Sequence, residues 1–255
     1  IGLTVLQIAA NPYVAILGSR ETASSRLNLA QGFNSFGTTI APVLGGYFIF
    51  KFFAGEHVSG ADAVKIPYLG LAGLFLLLAV VVKMINLPRF TESDEIERSA
   101  GALKYRHLVL GMLAIFMYVG GEVSIGSLMV NFFGLPQIAG LEEADASAFL
   151  SFYWGGAMIG RFLGAISLGE MPASKKLGFM VLAAIASFLV IYGVVYLNSG
   201  ITFTEVLPFL GFVVLNLIAF QFGKSHAART LAIFSVLVIA LLSLVVLMDG
   251  PVAFW

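Results

Sequence analysis

Hydrophobic residues run along this chain in long stretches broken by short polar intervals. The stretches fall at about 2–17, 27–50, 67–87, 108–133, 146–168, 176–197, 205–223 and 228–248. Nearly all approach the roughly 20 helical residues that cross a hydrocarbon core. A segment in lipid must satisfy its own backbone hydrogen bonds, so helices are predicted. Barrel strands would be about half as long and would alternate in polarity. The pattern predicts an all-α membrane protein with about eight transmembrane helices, set in a lipid bilayer.

Composition agrees. Hydrophobic residues make up 59% and charged residues 11% of 255, against roughly 45–50% and 25% in soluble domains. The 14 basic and 14 acidic residues balance, and no basic excess points to nucleic acid. With no Cys, a disulfide framework, a thiol nucleophile and thiolate metal sites are excluded. His57, His107 and His226 lack metal-ligand spacing, so neither a metal nor another cofactor is expected. Because Ile1 enters an apolar run and Trp255 closes another short one, the chain is expected to be an interior fragment of a longer protein.

Charge sets the orientation. Alternate loops hold Arg20 and Arg26; Lys83, Arg89, Arg98, Lys104 and Arg106; Arg161, Lys175 and Lys176; and Lys224 and Arg229. That is 12 of the 14 basic residues, and the opposite loops hold only Lys51 and Lys65. The first set is expected on the cytoplasmic side. The longest charged segment, 89–107, separates three helices from five. It reads as a cytoplasmic linker between two helical bundles, at 1–88 and 108–255, although an ordinary long loop has the same appearance.

Polar side chains within spans are costly and call for a partner or a water-filled cavity. In the second span Asn28, Gln31, Asn34, Ser35 and Thr38 occupy an arc of roughly 120°, with Leu29, Phe33, Phe36 and Ile40 opposite. A carboxamide both donates and accepts, which suits hydroxyl-rich ligands and serves equally well to join helices. In the first span Gln7 and Asn11 share a face beside Pro12, which deprives the Ile8 carbonyl of its usual donor. In the fourth, Glu122 is the one acidic residue well inside a predicted span, with Tyr118 a turn away. Such a group is a candidate cation or proton relay, or a paired structural carboxyl. Gly156, Gly160 and Gly164 form a small-residue groove for helix contact. Arg161, Asn216 and Gln221 are read as lying near helix ends, at the membrane interface.

The segments Leu6–Gln7–Ile8–Ala9–Ala10–Asn11–Pro12–Tyr13 and Ser25–Arg26–Leu27–Asn28–Leu29–Ala30–Gln31–Gly32–Phe33–Asn34–Ser35–Phe36–Gly37 resemble the fucose–galactose–glucose–hexosamine branch of the major facilitator superfamily. Tyr118–Val119–Gly120–Gly121–Glu122 and Gly160–Arg161–Phe162 extend the likeness more loosely. The resemblance implies a two-bundle transporter that moves a sugar by alternating access, with a single chain as the functional unit in the bacterial inner membrane. It places Gln31 and Asn34 where the family contacts sugar, and Gln7, Asn11 and Tyr118 join them as candidate sugar-binding residues. Gln7 stands where fucose-transporting members carry a proton-coupling Glu, while Glu122 stands where they carry Gln. This exchange favours glucose/galactose or N-acetylhexosamine members and leaves the coupling ion open between proton and sodium, with Glu122 as candidate coupling group. The pattern also implies an inserted helical pair at about 176–223. A membrane-embedded enzyme or a channel is the alternative; no nucleophile–base or metal constellation supports the former.

Overall fold

In the computed structural model, residues 2–47, 65–86 and 100–248 are described. They form eight α-helices: α1 (Gly2–Ile16), α2 (Ala23–Tyr47), α3 (Lys65–Met84), α4 (Arg106–Gly134), α5 (Glu143–Ser167), α6 (Ala173–Ser199), α7 (Leu207–Gly223) and α8 (Ala227–Leu247). One helix stands at each predicted span, and no strand occurs among the described residues. Five segments, holding α3, α4, α6, α7 and α8, are long and apolar enough to cross a membrane. The 15-residue α1 is too short, and α2 and α5 carry the polar and small residues of the candidate site instead. The greater part of the charged linker predicted at 89–107 lies outside the described residues.

Two compact units are present, one formed by Ile1–Val43 with Gly126–Trp255 and the other by Leu44–Ile125. The first holds the buried core, where Met158, Ile159 and Leu163 of α5 meet Met180, Ile191 and Val195 of α6, with Val213 and Phe220 of α7 beside them. In the second, α3 buries none of its side chains, as suits a helix whose apolar surface faces lipid.

Local chemistry explains the helix ends. The α6 helix closes on Gly200, whose φ of 66° is a left-handed cap that glycine adopts without steric cost. Thr202 and Glu205 form a reciprocal capping box at the next turn. Arg26 staples the end of α1 by donating to the carbonyls of Val14 (3.1 Å), Ala15 (2.6 Å) and Ser19 (2.9 Å). The Val14 and Ala15 carbonyls are orphan C-terminal acceptors of α1, which favour a cation. The chain at Gly18 passes so close that a Cβ there would lie 2.7 Å from the Arg26 guanidinium.

Close helix approach is specified by α5. A Cβ on Gly155 would come within 2.6 Å of two Ile191 side-chain carbons, and Ile191 is fully buried. Gly155→Ala is expected to lower stability by about 1–3 kcal/mol through overpacking, read as a lower midpoint of thermal unfolding in detergent. An unchanged midpoint would mean that α6 has room to move away.

Candidate functional site

The polar stripe of α2 divides into two edges. One edge packs on α5. Ser25 Oγ donates to the Ala165 carbonyl at 2.6 Å, the Asn28 side chain lies where a Cβ on Gly164 would fall 3.1 Å from its Oδ1, and Gly32 sits under the Phe162 ring. Asn28 Nδ2 turns back to the Ser24 carbonyl at 2.8 Å. Farther along, Ser35 and Thr39 are fully buried, and the Thr39 hydroxyl donates to the Ser35 carbonyl at 2.8 Å. These residues join the helices. The other edge is more open. Asn34 is exposed and Gln31 half-buried, and Gln31 Nε2 reaches Asn11 Oδ1 of α1 at 3.5 Å. Gln7, one turn before Asn11, is exposed.

Arg161 links the two edges. Its Nη1 donates to Ser35 Oγ in a short contact and to the Gln31 carbonyl at 3.5 Å. The expectation that Arg161 anchors at a helix end is therefore corrected. It lies six residues before Ser167, the last residue of α5, which at 1.5 Å per residue is about 9 Å inside the helix. Its half-buried guanidinium turns toward α2. The sequence did carry a signal, since Gly160–Arg161–Phe162 belongs to the family-like segments and a cation inside a span needs partners.

Phe33 and Phe36, on the face opposite the polar stripe, line a cavity of about 230 Å³ with Met158, Phe162, Ala186, Ser187 and Val190. Phe33 meets Phe162 edge-on, with ring centroids 5.6 Å apart. Asn216 does not lie near an end of α7. It sits mid-helix, its Oδ1 3.9 Å from where a Cβ on Gly160 would be, and that buried oxygen has no hydrogen-bond partner among the described residues. A second cavity of about 310 Å³ is lined by Met129 and Phe133 of α4, Phe149, Phe152, Tyr153 and Gly156 of α5, and Phe209 and Phe212 of α7. Both cavities are largely apolar, and neither includes Gln31 or Asn34.

Tyr118 and Glu122 belong to the other compact unit. Tyr118 Oη donates to Glu122 Oε1 at 3.1 Å, with Glu122 half-buried and Tyr118 exposed. A phenol one turn before a carboxyl orients its lone pair.

The apolar helices, with the polar, partly open α1–α2 face among them, define a multi-pass membrane protein. No family model matches the chain. It is 47% identical over 188 residues to the glucose/galactose transporter of Brucella abortus, matching 72% of this chain and 46% of that protein. To the L-fucose–proton symporter of Escherichia coli it is 28% identical over 213 residues, 74% of this chain and 48% of that protein. Its fold matches the crystal structure of an Asn-to-Ala variant of the E. coli fucose:proton symporter with a TM-score of 0.56 at 23% identity, covering 99% of this chain and 69% of that one. These matches support placing the chain in the fucose–galactose–glucose branch of the major facilitator superfamily. It spans about half the length of the curated relatives it matches.

Proposed function

We propose that the full-length protein is a secondary active sugar transporter that couples uptake of a hexose or N-acetylhexosamine to a proton or sodium gradient by alternating access. The observation that carries this reading is the Asn11–Gln31 amide pair beside the open Asn34. It supplies donors and acceptors on one face of two packed helices, in a chain whose relatives are named as sugar transporters. Gln31 and Asn34 bind sugar hydroxyls, Gln7, Asn11 and Tyr118 are further candidates for sugar binding, and Glu122 carries the coupling ion. Residues 1–88 end one bundle and 108–255 begin the other, with α6 and α7 as an inserted pair, so the α2–α5 contact joins the bundles. The protein works as a single chain in the bacterial inner membrane.

Uptake of labelled hexoses and N-acetylhexosamines by the full-length protein, with and without a sodium or pH gradient, tests the reading. Flux that neither saturates nor exchanges would indicate a channel. Gln31→Ala and Asn34→Ala are each expected to cost about 1–3 kcal/mol of apparent affinity by leaving a sugar hydroxyl unpaired in a desolvated site. Folding is expected to change little, because Asn34 is exposed and Gln31 only half-buried. Wild-type affinity in both variants would reduce the open edge to helix packing.

The loop charges predict sidedness. In this Cys-free chain, single Cys residues placed at Glu95 or Ser225 are expected to be shielded from an impermeant thiol reagent in intact cells. Those at Gly60, Asp145 or Ser199 are expected to react. Labelling of both sets from one side would refute the topology.

A further inference from the structure

The turn between α5 and α6 and the turn between α7 and α8 are tied together by one ammonium group. Lys176 Nζ donates to the Ser167 carbonyl at 2.7 Å and to Ser225 Oγ at 3.0 Å. This brings the N-termini of α6 and α8, two positive dipole ends, into one neighbourhood. Four cations stand there: Lys175 and Lys176 in the first turn of α6, Lys224 just beyond α7, and Arg229 in the first turn of α8. Lys175, Lys224 and Arg229 are exposed. Lys224 and Ser225 both hold left-handed backbone, φ 48° and 56°, in the tight turn that Lys176 grips.

The sequence around these cations is poor in acid. Between Met171 and Thr230 the sequence contains one acidic residue, Glu205. It is engaged in the capping box beyond the opposite end of α6, a helix of 27 residues and hence about 40 Å long. Glu170, the nearest acid before the cluster, accepts a hydrogen bond from Ser19 at 3.1 Å. Directly along the helices from the cations lie exposed apolar side chains, Leu177 and Phe179 on α6 and Leu231, 69% exposed, on α8.

We propose that this cluster binds the headgroup of an anionic phospholipid, with the phosphate among Lys175, Lys224 and Arg229 and the acyl chains along the apolar faces of α6 and α8. Uncompensated cations at the end of membrane helices attract anionic headgroups. The adjoining apolar faces distinguish a lipid from a free phosphate, which would use the cations alone. Lys176 is the positioning residue that holds the two turns together.

The test is native mass spectrometry of the full-length protein in detergent with equal amounts of phosphatidylglycerol and phosphatidylcholine, followed by a challenge with inorganic phosphate. Phosphatidylglycerol is expected to be retained in preference, and K175Q/K224Q/R229Q is expected to retain both lipids alike. Each cation removed is expected to lower the preference about fivefold, from roughly 1 kcal/mol per basic residue at an anionic surface. Equal retention by the wild-type protein, an unchanged preference in the triple variant, or full displacement by phosphate would each overturn the proposal. Should the triple variant not fold, K224Q alone is expected to show the fivefold loss, and no loss would count equally against the site. The inference needs only a membrane location, so failure of sugar uptake would leave it standing.

Discussion

Replacing Arg161 by Gln is expected to remove about 1.5–3 kcal/mol of stability and to depress sugar uptake by about one to two orders of magnitude. Ser35 is fully buried, and its hydroxyl accepts from Arg161. Without that donor the oxygen loses a charge-assisted bond it cannot replace from water. The carbonyl of Gln31 loses its contact with the same nitrogen, so the segment that presents Gln31 and Asn34 is released from α5. Arg161→Lys is expected to recover only part of the loss, because a single ammonium cannot reproduce the planar fork. Ser35→Ala isolates the pair. R161Q/S35A is expected to be scarcely worse than R161Q, since residues sharing one bond are not additive. Additive losses in thermal unfolding would show that Arg161 acts through other groups, and full uptake in R161Q would separate it from transport altogether.

The reach of the sequence is visible in these same residues. The spans were legible because burial in lipid leaves no alternative to long apolar helices, and all eight stand where the apolar runs fall. The amide stripe of α2 was legible too, because polar side chains in such a helix stand out. What periodicity could not supply was the partner. Asn28, Ser35, Gln31 and Asn34 share one arc, yet α5 covers the first two and leaves Asn34 exposed. A helical wheel shows direction and says nothing of what lies there. The same limit hid the partners of Phe33 and Phe36, which line a cavity with Phe162 and Met158. Arg161 was misread for a different reason. A basic residue late in a span usually marks the interface, and only the contact with Ser35 reveals a guanidinium turned to the protein interior. Asn216 failed likewise, because α7 begins at Leu207 and ends at Gly223, which centres it.

Glu122→Gln is expected to abolish gradient-driven accumulation of sugar while sparing exchange. The substitution is nearly isosteric and keeps a carbonyl oxygen where Oε1 accepts from Tyr118 at 3.1 Å. What it removes is the ability to carry a proton or to present a charge. Gln7 does not titrate, so among the proposed site residues the carboxyl of Glu122 is the group able to couple. In a proton symporter, net uptake requires that carboxyl to load and release a proton once per cycle. Exchange of internal for external sugar requires no net proton movement, and is therefore expected to persist at near wild-type rate. In a sodium symporter the lost charge is expected instead to weaken the dependence of uptake on sodium. Tyr118→Phe supplies the control: it removes the oriented hydroxyl but leaves the carboxyl, and is expected to slow accumulation without abolishing it. Concentrative uptake by Glu122→Gln equal to the wild type would assign coupling to residues outside this chain and leave Glu122 as a structural partner of Tyr118.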